Sequence, residues 1–140
     1  MKKIILVFIF SNFLMSELVL EITQGAEDPY KVALIPFNGE KNISETLNDV
    51  IKSDLFRSGE FNIYGIDSLL SIPKNEDEIV FNDFKILNID YLVTGNITNM
   101  DQNISAQYEV YDIKKGAKIR SSTVFGIPNK NRQLGHYVSD

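Results

Sequence analysis

The chain has no cysteine and a single histidine, His136. The absence of cysteine excludes a disulfide framework, thiolate metal sites and cysteine nucleophiles. One imidazole cannot by itself build a multi-histidine metal centre. Basic residues are few and scattered: 14 Lys and Arg stand against 19 Asp and Glu in 140 residues, for a net charge of -5. The densest basic group is the pair Lys114 and Lys115, which reads as a solvated hairpin turn. Binding to a phosphate backbone or to anionic lipid runs on clustered cations, so this balance argues against both. There is no internal repeat and no low-complexity tract.

Catalytic and cofactor signatures are missing as well. A phosphate loop needs glycines between a strand and a helix. The segment Asn38-Gly39-Glu40-Lys41-Asn42 offers one glycine and an acid. Asp101, Asn103 and Ser105 open like a calcium loop, but the required sixth and twelfth positions hold Ala106 and Asp112. A turn and the polar face of a strand explain those residues better. Glu76, Asp77 and Glu78 are consecutive charges in a Pro/Asn-containing stretch and read as a solvated loop. A triad would have to use His136 with one of the serines, and no Gly-x-Ser-x-Gly elbow is present to orient a nucleophile. Three Asn-x-Ser/Thr tripeptides, at Asn42, Asn96 and Asn103, are chance matches in an Asn-rich chain. Asn96 falls on an expected buried strand. No catalytic residue, metal or cofactor is expected.

What is present begins with a leader. Met1-Lys2-Lys3 is a basic start, Ile4–Phe10 is an unbroken apolar run, and Phe13–Met15 resume it after Ser11 and Asn12. This is the pattern of a secretory signal peptide, and it is shorter than the ~20 apolar residues that a membrane-spanning helix needs. Residues 1–16 are therefore expected to be removed. Taking Lys2 and Lys3 from the 14 basic residues leaves 12 against 19 acids, a net charge of -7. Leu18–Thr23 alternates weakly and is rich in branched residues, as an extended segment does. Gly25–Pro29 breaks the chain after it, so residues 17–25 are expected to form an arm and 26–140 a compact domain.

Val32–Phe37 (VALIPF) is nearly all apolar, as in a strand buried on both faces, with Pro36 ending its pairing. Asn42 and Glu45 predict the start of a helix by a capping-box pattern. Ile43, Leu47, Val50, Ile51 and Leu55 recur on one helical face, and Gly59 supplies a left-handed stop. Phe61–Tyr64 is a second strand, completing a βαβ unit. A short helix is expected over Asp83–Leu87 and a third strand over Asp90–Ile97. Then the period changes. Ile104, Ala106, Tyr108 and Val110 alternate with polar positions, and so do Ala117, Ile119, Ser121, Thr123 and Phe125. The turn residues Asp112–Gly116 lie between them, so this is a hairpin with one face on the core and one wet. The last residues look like the start of a helix. The sum is an α/β fold: a mixed sheet of about five strands with two flanking helices.

Six segments, in order, resemble one family. Leu20–Gly25 (LEITQG) looks like its opening strand and glycine, and Val32–Phe37 like its first core strand. Asp54–Asn62 (DLFRSGEFN) is similar to its Asp-Leu-x-x-Ser-Gly-x-Phe signature. Leu87–Gly95 resembles its Leu-Gly-Ile-Asp-x-x-Val-x-Gly segment, with Asn88 in place of the usual glycine. Tyr108–Asp112 resembles a Tyr-x-Leu-x-Asp strand. Gly135-His136 to Ser139-Asp140 resembles a His-x-x-Ser-Asp helix start. The family is the N-terminal domain of TolB, the periplasmic component of the Tol-Pal system of Gram-negative bacteria.

The resemblance implies an anticodon-binding-like α/β domain followed by a β-propeller that this sequence does not contain. It implies a periplasmic adaptor, without catalysis, in outer-membrane integrity and in constriction at division. It implies that a TolA-like inner-membrane protein takes up the arm: Glu17, Leu18, Val19, Leu20, Glu21, Ile22, Thr23 and Gln24. The lipoprotein Pal would bind only where a propeller is present. An extended segment can add a strand to a partner's sheet edge. It can equally pair with its own domain's sheet, and the residues leave both open. An exported α/β domain that binds a small ligand or envelope component is the alternative reading, and a hydrolase using His136 is a third.

Overall fold

The computed structural model describes residues 28–140. The leader and the arm lie outside the described residues. Five strands run β1 Tyr30–Leu34, β2 Phe61–Tyr64, β3 Tyr91–Met100, β4 Asn103–Asp112 and β5 Ala117–Gly126. Three helices accompany them: α1 Lys41–Ser58, α2 Phe81–Ile86 and α3 Asn131–Ser139. The sheet order is β2-β1-β3-β4-β5. β1 is parallel to both neighbours, and β3, β4 and β5 form an antiparallel meander. The expected mixed five-stranded sheet is therefore present, with the C-terminal residues forming a full third helix.

Two cores result, one on each side of the sheet. Under α1 and α3, Leu34, Phe37, Leu47, Ile97, Ala106 and Leu134 pack together. On the opposite side Ala33, Ile35, Leu92 and Tyr111 meet Phe84 of α2 and Ile89. β1 reads as continuously apolar because both of its faces are covered.

Pro36 cannot donate to a ladder. Ile35 N–H still reaches Val93 O at 2.9 Å, pairing lapses at Pro36, and Asn38 N–H then reaches Gly95 O at 2.9 Å. The strand ends at Leu34, earlier than the apolar run suggests. Phe37 is fixed instead by α1: its N–H donates to Asn48 Oδ1 at 3.3 Å, and its carbonyl accepts from the Ser44 hydroxyl. Asn48 and Ser44 thus serve backbone groups that no strand satisfies.

Helix α1 starts one residue before Asn42. Its N-cap is Glu40, with no side-chain cap bond, so the capping-box expectation fails. Gly59 ends it as expected, at φ 74° with its N–H on Phe56 O. Helix α2 begins two residues before the expected Asp83.

The hairpin turn forms as expected, with Asp112 Oδ1 accepting from Lys115 N–H at 2.9 Å and Gly116 at φ 64°. The expected phase of β5 is wrong, because a bulge opposite Val110 and Tyr111 shifts the register. Val124, opposite Ala106, faces the core, and Phe125 stands on the other face at 67% exposure. The expected wet face of β4 is only partly wet, since Tyr111 is buried in the second core. Asn96, expected to be buried, is exposed and accepts a hydrogen bond from Asn38 Nδ2 at 3.1 Å.

Candidate functional site

Glu17–Gln24, the expected partner-binding residues, lie outside the described residues. The structure does describe the point where the chain enters the body. Tyr30 opens β1, its N–H bound to Glu60 O at 2.8 Å. Its ring packs edge-on against Tyr91, with centroids 5.5 Å apart, and tilted against Phe61 at 6.3 Å. Because β1 lies between β2 and β3, the chain enters the sheet at an interior strand.

Beside this entry runs an apolar groove of about 300 Å³. Val32, Phe61, Tyr91 and Val93 contribute the sheet side near Tyr30, and Leu55 and Val138 the helical side. The two helices cover only part of this sheet face, which leaves Val93 and Val110 half-buried. Arg120 also lines the groove and is in no ion pair among the described residues.

The residues that carried two of the sequence motifs meet on one carboxylate. Asp54 of α1 accepts from Ser139 Oγ at 2.8 Å and lies 2.6 Å from His136 Nδ1, both on α3. Arg57, a turn further along α1, pairs with its other oxygen. The Ser139 hydroxyl, with His136 and Arg57, holds the Asp54 carboxyl below the usual carboxylate range despite its desolvation. The Ser139 hydroxyl and the His136 imidazole both bond to the carboxylate rather than to each other. A nucleophilic triad needs the serine on the imidazole, so this arrangement ties two helices together and activates no hydroxyl.

Other charged clusters are similarly structural. Lys118 bridges Glu76 at 2.6 Å and Glu109 at 2.8 Å, and Glu109 accepts from the Tyr111 hydroxyl at 2.6 Å. Desolvation and the Glu109 carboxylate raise the Tyr111 phenol well above its ordinary value. Glu78 accepts from Lys74 N–H at 2.9 Å. The acidic run expected to be a solvated loop is an exposed single turn, anchored by these bonds. Asp101 sits in the turn between β3 and β4, with Asn103 and Ser105 on β4, as the turn-and-strand reading expects.

The family model for the TolB amino-terminal domain matches residues 18–119. The chain belongs to this family. The Tol-Pal system protein TolB of Alcanivorax borkumensis is 32% identical over 126 residues, covering 89% of this chain and 29% of that protein. TolB from Acinetobacter baumannii, a crystal structure, superimposes with a TM-score of 0.69 at 28% identity, over 81% of this chain and 27% of that one. The chain therefore spans under a third of the length of these two TolB proteins. The C-terminal domain of LpoB from Escherichia coli, at 13% identity and a TM-score of 0.54, shares the fold. It covers 74% of this chain and 88% of that domain.

Single-residue reasoning missed the Asp54–His136–Ser139 cluster, because its members are 82 and 85 residues apart in sequence. The signal that could have found it was the TolB resemblance itself. Asp54 opens one quoted motif, and His136 and Ser139 belong to another.

Proposed function

We propose that this chain is a periplasmic protein–protein adaptor of the Tol-Pal system, with no catalysis of its own. It offers Glu17–Gln24 as an added strand to a TolA-like inner-membrane protein. The observation that carries the reading is the TolB family match, which begins at residue 18 and so includes nearly all of the arm. The fold supports it. Both cores close with elements drawn from Tyr30–Ser139, and the arm joins them at an interior strand, a firm base for a segment lent to a neighbour. The absence of catalysis rests on the family and on the bonding of His136 and Ser139 to one carboxylate. Roles in outer-membrane integrity and division follow from the Tol-Pal assignment. Binding to Pal belongs to this reading only where a propeller accompanies the domain.

The test is deletion of residues 17–24. Capture of the periplasmic domain of a TolA-like protein should be lost while the melting temperature of the body stays unchanged. Undiminished capture after deletion would refute the reading and favour an envelope ligand bound by the body.

A further inference from the structure

Asn38-Gly39 is the only Asn-Gly pair in the sequence, and the adaptor function uses neither residue. The pair carries chemistry of its own. The backbone nitrogen that follows an asparagine can attack the side-chain amide carbon, and a following glycine, with no Cβ, leaves that approach open. The fold nevertheless requires both residues. Gly39 has φ 145°, where L side chains are rarely found, and a Cβ there would stand 2.8 Å from Ile97 Cβ. Asn38 joins three segments. Its N–H donates to Gly95 O at 2.9 Å, and its carbonyl accepts from Ile97 N–H at 2.7 Å, both on β3. Its side-chain Nδ2 donates to Asn96 Oδ1 at 3.1 Å and to Lys74 O at 3.0 Å. The bond to Lys74 ties residues 65–80, the link between β2 and α2, to this end of the sheet.

We propose that Asn38 is a deamidation site that the folded chain guards, and that its conversion unties residues 65–80 from the sheet. In the reaction the Gly39 nitrogen gives up its proton and bonds to Asn38 Cγ. The Cγ–Nδ2 bond breaks and ammonia leaves, which closes a succinimide ring. Water then opens the ring at either carbonyl, to give aspartate or isoaspartate. The sum is amide plus water to carboxylic acid plus ammonia, with no change of oxidation state. The guard is geometric. Asn38 is exposed, so water reaches it. Ring closure, however, expels Nδ2 and so breaks both of its bonds, and the bridge to β3 restrains the backbone turn that brings the Gly39 nitrogen onto Cγ. The products cannot restore the tie. An aspartate carboxylate has no N–H to offer and sets a negative charge against two acceptor oxygens. Isoaspartate routes the main chain through Cβ and Cγ, which puts the bridge to Ile97 out of register.

The test follows conversion at Asn38 by peptide mass spectrometry during mildly alkaline incubation of the chain. Unfolded in guanidinium chloride, the chain should convert fastest, and at Asn38 ahead of its other asparagines. The folded chain should be slower by roughly tenfold or more, the factor set by two neutral hydrogen bonds. Asn96→Ala removes one acceptor at an exposed position, and folded Asn96→Ala should convert several-fold faster than the folded parent. Asn38→Asp carries the side chain of one product. It should speed amide exchange at Glu78 and Ile79, whose N–H groups are bonded within residues 65–80, and leave β4 unchanged. Equal rates in the folded and unfolded chains, or an Asn96→Ala rate equal to the parent's, would overturn the guard. Conversion at another asparagine first would overturn the site. Unchanged exchange at Glu78 and Ile79 in Asn38→Asp, or loss of protection throughout the sheet, would overturn the untying.

Discussion

Gly95 lies in the middle of β3, where glycine ordinarily costs stability. Introducing alanine at an unconstrained strand position should help, by about 0.5–1 kcal/mol. Here the sign reverses, because the Phe37 ring occupies the space above Gly95. A Cβ on Gly95 would stand 2.6 Å from both Cδ2 and Cζ of that ring. The ring has little room to retreat. Phe37 is 2% exposed, and its backbone is held on both sides by Asn48 and Ser44. Overpacking of this kind costs about 1–3 kcal/mol. Set against the propensity gain, the net loss for Gly95→Ala is about 1–2 kcal/mol, which for a domain of this size lowers Tm by roughly 4 °C per kcal/mol. Phe37→Leu alone should destabilise through a cavity, by about 1–2 kcal/mol. The double variant should be more stable than the sum of the two, with a coupling of about 1 kcal/mol, because the smaller side chain makes room for the new methyl. Chemical denaturation of the four proteins gives this coupling directly. A Gly95→Ala protein with a raised midpoint, or strict additivity in the cycle, would refute the reasoning.

Leu47, fully buried under α1, should cost about 2–5 kcal/mol when replaced by alanine, read as a lower denaturation midpoint. Asp54, Asp90 and Glu109 are held below their ordinary values in the fold. Their stabilisation is complete above the unfolded carboxylate range and lost as pH falls through the lowered folded values. Asp54→Asn should therefore flatten the acid limb of a stability-versus-pH curve, and an unchanged limb would show that the cluster contributes nothing. Tyr111 and Lys118 are shifted the opposite way. Their contribution is present at neutral pH and lost as pH rises above about 10. Ultraviolet titration should accordingly show the Tyr111 phenol staying protonated until the chain unfolds in alkali, and Tyr111→Phe should remove that late step.

Much of the fold was legible in the sequence because its signals were local. Strand β2, the hairpin turn and the Gly59 stop each rest on a few adjacent residues with strong preferences. The errors came where a distant partner decides. Glu40 replaced Asn42 as the cap because α1 begins where Phe37 and Ser44 dock. The β5 phase slipped because a bulge inserts one residue, Ile119, that no period-two pattern marks. Tyr111 sat in a polar alternation yet is buried, since Phe81 and Phe84 from another segment cover that end of the sheet. The candidate site was visible only in part. The arm is an expectation from composition and resemblance and lies outside the described residues. The Asp54 cluster needs α1 and α3 to be brought side by side, and no spacing rule links positions 82 residues apart.

The interior position of β1 has a mechanical corollary. A pull on Asp28 along the strand axis loads two parallel ladders at once, to β2 and to β3, so their bonds share the tension and must slip together. A strand at the rim would instead peel away one bond at a time. A tether joined to the body in this way transmits force into its centre before it tears loose.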